Sequence, residues 1–149
     1  MRVQPTSGKT KESRHGQQIV VSLPEDTSLN DPAVADIIRK VVIAALRIEA
    51  KSYLPKRLAF LANKHSYVYQ SIRFSHAGGR WGSCSSTGTI SLNIALMKLP
   101  FELIDYVLIH ELSHTKELNH SSGFWKLVAN ADPDHVIHRQ ILKNMSPSV

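Results

Sequence analysis

Residues 110–120, HELSHTKELNH, place three histidines and two glutamates in eleven positions. His110 and His114 stand four apart, close to one turn of helix, so on a helix both imidazoles project from the same face. That spacing lets both nitrogens bind one zinc ion at about 2.0–2.1 Å. Glu111 follows the first of them. It points slightly off the ligand axis, where it can reach a water on the metal without binding the metal itself. A strand would send residues at odd spacing to opposite faces, so the chemistry requires a helix. With the chain's histidine and glutamate content, roughly 0.02 accidental H-E-x-x-H matches are expected.

A catalytic zinc takes three protein ligands and keeps one position open. His120, six residues beyond His114, is the leading candidate for the third. On a straight helix it would sit about 9 Å along the axis from His114, too far to share a metal. The chain must therefore turn back between Glu117 and His120, and Asn119 suits a left-handed helix end. Glu117, His135 and His138 are the alternatives; the last two, three apart on a late helix, read as surface residues. Cys84 reads as a packed strand residue rather than a ligand.

The elements that must hold these residues follow from periodicity. Residues 18–23, QIVVSL, form a short first strand. Asp31 and Pro32 start a helix well, the first as a cap and the second at the first helical position. Val34, Ile37, Ile38, Val41, Ala45 and Ile48 then recur at helical spacing to about residue 50. Pro55 opens a second, shorter helix to about Lys64. Residues 67–74 read as a strand, and 80–85 with 89–93 read as a hairpin turning at Thr87 and Gly88. Pro100 opens the motif helix, expected over Phe101 to about Leu118. Further helices are expected from Ser122 to Ala131 and, capped by Asp134, to about Asn144. Strand, helices, small sheet, helices is an α+β order.

The length of 149 residues suits one domain burying roughly two-thirds of its unfolded surface. We expect that domain over residues 19–149, preceded by a polar, disordered tail over residues 1–18. The longest purely apolar run, Val41 to Leu46, is six residues, against about 20 for a membrane span. With no apolar leader in the first eighteen residues, and a single cysteine, the expected location is the cytoplasm. The net charge is +6, and four cations against Glu12 place +3 of it in the tail. Between residues 39 and 64, seven lysines and arginines face only Glu49. A solvated helix face accounts for that run more simply than a phosphate-binding patch.

From about Ile19 to Lys143 the chain resembles the YgjP-like family of metallopeptidases, relatives of the SprT-type zinc proteases. The resemblance is carried by residues 80–84 (RWGSC), 90–93 (ISLN), 104–114 (IDYVLIHELSH), 119–121 (NHS) and Phe124-Trp125. It implies zinc at His110, His114 and His120, with Glu111 catalytic. It also implies a zincin-like α+β fold: a small, mainly antiparallel sheet packed on an active-site helix, with further helices on either side in sequence. Glu117 stands where metzincins have their turn glycine, so a different turn is expected. Trp81 either borders a peptide cleft or fills the core of a plain hairpin. Phe124 and Trp125 are expected to anchor the returning chain, and Tyr106 to pack.

The function expected is zinc-dependent hydrolysis of a protein or peptide. One rival is a metal-dependent hydrolase of nucleotide phosphoanhydrides, for which there is no Gly-rich phosphate loop. The other is a non-catalytic, zinc-stabilised module that binds protein or nucleic acid. Glu111 speaks against it, because a structural site needs no base and closes with four protein ligands.

Overall fold

The computed structural model describes the backbone of residues 2–5, 11–15 and 18–23, and all of residues 30–76 and 78–148. The chain divides into two compact units, Met1–Ile48 and Glu49–Ser148, where the sequence suggested one domain after a tail. In the first unit β1 (Arg2–Pro5) and β2 (Lys11–His15) flank β3 (Gln18–Leu23). β1 runs parallel to β3 and β2 antiparallel. Residues expected in a disordered tail thus include two strands, because β3 offers a backbone ladder on each edge. The tail's charged side chains lie outside the described residues.

Helix α1 spans Pro32–His65, and the division between the units falls within it. Asp31 caps it as expected, its side chain accepting a hydrogen bond from the Ala33 N–H at 2.9 Å. In the first unit Val34 packs with Ile38, Val41, Val42 and Ala45. Two helices were expected here, with Pro55 opening the second. Pro55 instead lies inside one continuous helix. Ala50, Leu54, Leu58, Leu61 and Ala62 are all buried, a stripe that crosses Pro55 without a change of phase. The proline removes one helical hydrogen bond, and burial on both sides of it outweighs that loss.

The second unit carries the motif. Its sheet has the order β4-β6-β5, with β4 at Ser71–Ser75, β5 at Gly82–Cys84 and β6 at Thr89–Asn93. β4 pairs with β6 in parallel, and only β5 with β6 is antiparallel, so the sheet is mixed rather than mainly antiparallel. Alternation of side chains is the same for both directions, which is why the sequence misses this. The expected hairpin is present, and Gly88, at φ +89°, supplies the left-handed residue its turn requires. A 3₁₀ segment, Ile94–Lys98, follows β6 and leads into α2 at Phe101–Ser113. Then come α3 (Ser122–Ala131) and α4 (His135–Lys143).

β6 is the central strand, and its Ile90 and Leu92 are fully buried. α2 packs against β5, α3 and α4 and is buried on nearly every side, from Leu103 through Ser113. Arg57 of α1 ties to α2 by a two-pronged ion pair to Asp105, at 2.8 and 2.6 Å. One member of the basic 39–64 run is therefore structural. Asp134, expected to cap α4, makes no side-chain cap; Asp132 accepts from the Asp134 N–H at 3.0 Å instead. No helix among the described residues is long and apolar enough to cross a membrane.

Asn93 joins the sheet to the segment that leads into β5. Its side-chain oxygen accepts from the Ala95 N–H (2.9 Å) and its amide donates to the Arg80 carbonyl (3.1 Å). Its own N–H donates to the Trp81 carbonyl at 2.9 Å. It is buried, so water cannot replace these partners. Asn93→Ala should lower the unfolding free energy by about 1–3 kcal/mol, the cost of stranding buried polar groups, read from chemical denaturation.

Candidate active site

α2 delivers its two histidines at its very end. The helix stops at Ser113, with His114 as its cap, and not at about Leu118 as expected. Residues 114–117 add one more turn, where the N–H groups of Lys116 and Glu117 both donate to the Ser113 carbonyl, and the chain bends at Leu118 and Asn119, between Glu117 and His120 as expected. Asn119 has no left-handed conformation; among described non-glycine residues only Ser66 does. Ser113 holds the last turn from inside. Its hydroxyl donates to the Ile109 carbonyl at 2.7 Å and accepts from the Tyr67 hydroxyl at 3.1 Å.

The returning chain brings His120 to the other two. Its Nε2 lies 3.3 Å from His110 Nε2 and 3.1 Å from His114 Nε2. Among the described residues these three form the group that could hold a metal ion. His114 Nδ1 donates to the Glu117 carbonyl at 3.0 Å, which fixes its tautomer and leaves Nε2 as the free lone pair. Glu117 thus contributes its backbone, not its carboxylate. His110 is held neutral, its pKa pushed down to about 3 by burial first and then by His114, His120 and Arg139. His120 is lowered too, by burial and then by His114 and Arg139. Neutral imidazoles are what a metal needs.

Aromatic rings hold the imidazoles. Ser121 caps α3 by accepting from the Phe124 N–H at 3.3 Å, and this aims Phe124 into the cluster. Phe124 is fully buried, with ring centroids 4.9, 4.4 and 4.9 Å from those of His110, His114 and His120. Trp125 stacks on His120 at 5.9 Å. Both residues anchor the return, as expected. The late histidines are a different matter. His138 is no surface residue: its Nδ1 is 2.7 Å from Asp132, and its side chain is 15% exposed. His135 stacks on Trp125 at 6.0 Å. Both back the aromatic cluster, and a lone i, i+3 pair of histidines gives no sign of that.

Glu111 is 5% exposed, and burial pushes its pKa up to about 8, with Arg80 acting against the rise. Room for it comes from Gly82 on β5. A Cβ there would lie 3.1 Å from Glu111 Cγ, from its Oε2 and from the Ser91 carbonyl oxygen. Trp81 is half-buried and lines a cavity with Gly82, Tyr106, His110 and Glu111, so it borders the cleft. Tyr106 is buried, with its pKa raised to about 12 chiefly by burial. Cys84 is free, and burial, then Glu111, raises its thiol pKa. The roles of Gly82 and Ser113 were missed from the sequence. Only their neighbourhood within the RWGSC and HELSH stretches marked them.

Comparison with known proteins agrees with this geometry. No curated protein matches the sequence. The crystal structure of the metallopeptidase zymogen of Pyrococcus abyssi abylysin is similar, with a TM-score of 0.52 and 28% identity. The similarity covers 59% of this chain and 90% of that one. The family described as YgjP-like, metallopeptidase domain, matches residues 2–145. The chain therefore belongs to the YgjP-like metallopeptidases.

Proposed function

We propose that His110, His114 and His120 hold one zinc ion and that Glu111 is the general base of a peptidase acting on extended or unfolded protein. The observation that carries the reading is the convergence of three imidazole nitrogens beside a buried carboxylate. Three nitrogens about 2.0–2.1 Å from a tetrahedral zinc lie about 3.3 Å from one another. The spacings of 3.3 and 3.1 Å to His120 suit that geometry. Zinc bound there would supply Lewis-acid polarisation of a carbonyl and of a water molecule. Glu111 would accept a proton from the attacking water and pass it to the leaving amine. Burial favours this role, since a base with a pKa near the working pH can both accept and release a proton.

β5 pairs with β6 on one side, and its Gly82 lines the cavity beside Glu111. An extended substrate chain aligned along β5 would bring successive peptide groups past the site. A cytoplasmic setting completes the reading, in keeping with the free thiol of Cys84.

The deciding experiment incubates the zinc-loaded protein with a flexible protein and, in parallel, with nucleoside triphosphates. Cleavage of the protein with the triphosphates intact is expected; the reverse pattern identifies a phosphoanhydride hydrolase. Glu111→Gln should keep its zinc while the rate falls by about 10²–10⁴. Full activity in a metal-replete Glu111→Gln protein would remove Glu111 as base. His120→Ala should lose zinc, measured by elemental analysis.

Gly82→Ala tests the room given to Glu111. The added methyl meets the carboxylate and a backbone oxygen, so Glu111 must move, while the imidazoles lie elsewhere. We expect zinc content at the parent level and a rate lower by about tenfold to a hundredfold, as for a displacement near 1 Å.

A further inference from the structure

The cavity beside Glu111 has a volume of about 290 Å³ and an uneven lining. Its apolar part comes from Trp81, Val107 and Leu142, and its rim carries three cations, Arg80, Arg139 and Lys143. They come from both banks. Arg80 precedes β5, whereas Arg139 and Lys143 are one turn apart on α4 and so share a face. The one carboxylate in the lining is Glu111, which is buried. None of the three cations joins a salt bridge among the described residues. Asp132, which precedes α4, is taken up by His138.

Arg139 is also held in place. Its guanidinium carbon sits 4.7 Å from the centre of the Trp125 ring, which itself stacks on His120 and His135. A stacked guanidinium keeps its edge free for a planar, two-point grip on a carboxylate, and it loses little freedom in making one. Two cations a turn apart repel each other in the absence of an anion. An anion between them removes that repulsion.

We propose that this cavity is a subsite for a carboxylate of the substrate, with Arg139, Lys143 and Arg80 taking the charge and Trp81, Val107 and Leu142 the adjoining apolar part. It rests on the peptidase reading above and names the class of peptide: one with an acidic side chain, or its own terminal carboxylate, next to the bond that is cut. A lysine or arginine in that position is disfavoured by the same field.

The test uses three peptides of one apolar sequence on the zinc-loaded protein. The first carries an internal glutamate and blocked ends, the second a free C-terminal carboxylate, and the third is neutral and blocked. We expect kcat/KM for the first or the second to exceed that of the third by about tenfold, the size of one charge-assisted hydrogen bond. Which of the two gains identifies the source of the carboxylate. In Arg139→Gln and Lys143→Gln the ratio should fall towards one, and Lys143→Glu should shift preference to a lysine-bearing peptide. A second measurement separates this proposal from the peptidase reading. The metal-free protein is titrated with the same peptides, followed by the fluorescence of Trp81 and Trp125. Should no peptide be cleaved, tighter binding of the carboxylate peptides, lost in Arg139→Gln, still upholds the subsite. Equal binding and equal turnover of all three peptides would overturn it. So would preferences that survive both glutamine variants, or a grip on ATP tighter than on any of the peptides.

Discussion

Two histidines on one turn of helix and a third beyond its end can share a point only if the chain reverses at once. Everything around the motif serves that reversal. α2 stops at Ser113, one more turn follows over residues 114–117, and bends at Leu118 and Asn119 direct the chain back. The hydroxyl of Ser113, fixed between Ile109 and Tyr67, holds the last turn of the helix. On the far side, Ser121 starts α3 as soon as His120 is in place. Phe124 then fills the space behind all three rings. Burial of one phenylalanine is thus spent on order in three imidazoles, since close packing leaves a ring few alternative rotamers.

The reversal has an electrostatic consequence. His120 Nε2 lies 3.3 Å from a nitrogen of His110 and 3.1 Å from one of His114, and burial and these neighbours favour the neutral forms of His110 and His120. The same burial acts on Glu111 in the opposite sense, raising its affinity for a proton. One packing arrangement therefore prepares both partners, electron pairs on the rings and proton affinity on the carboxylate. The absence of a side chain at Gly82 admits Glu111 to the same enclosure without moving β5. Arg80, a few residues away, keeps some positive field on the carboxylate.

Rigidity reaches the site from both directions along the chain. The Arg57 to Asp105 pair pins α2 one turn and a half before His110. Asn93 fixes the Arg80 and Trp81 backbone that leads into β5. His135, His138 and Arg139, all on α4, back the aromatic rings from behind. These supports lie up to 53 residues from His110 in the chain, at Arg57, yet each acts on the orientation of a residue in or beside the cleft.

The motif itself was legible in the sequence because a helix makes spacing equivalent to direction. His110 and His114 had to share a face, Glu111 had to lie beside them, and His120 had to return, all from 3.6 residues per turn. The strand β6, the hairpin, α3 and the cap at Asp31 were legible for the same local reasons. What the sequence left open was settled by burial. A stripe from Ala50 to Ala62 carries α1 through Pro55, where local propensity alone breaks the helix. The parallel pairing of β4 with β6 leaves no mark on side-chain alternation. β1 and β2 draw on a ladder supplied by β3, not on any apolar pattern of their own. His138 looked like a surface residue until Asp132 was placed against it, and Gly82 like any strand glycine until Glu111 was placed over it. Spacing along a helix is a local property of the chain; who lies opposite whom is a property of the packed molecule.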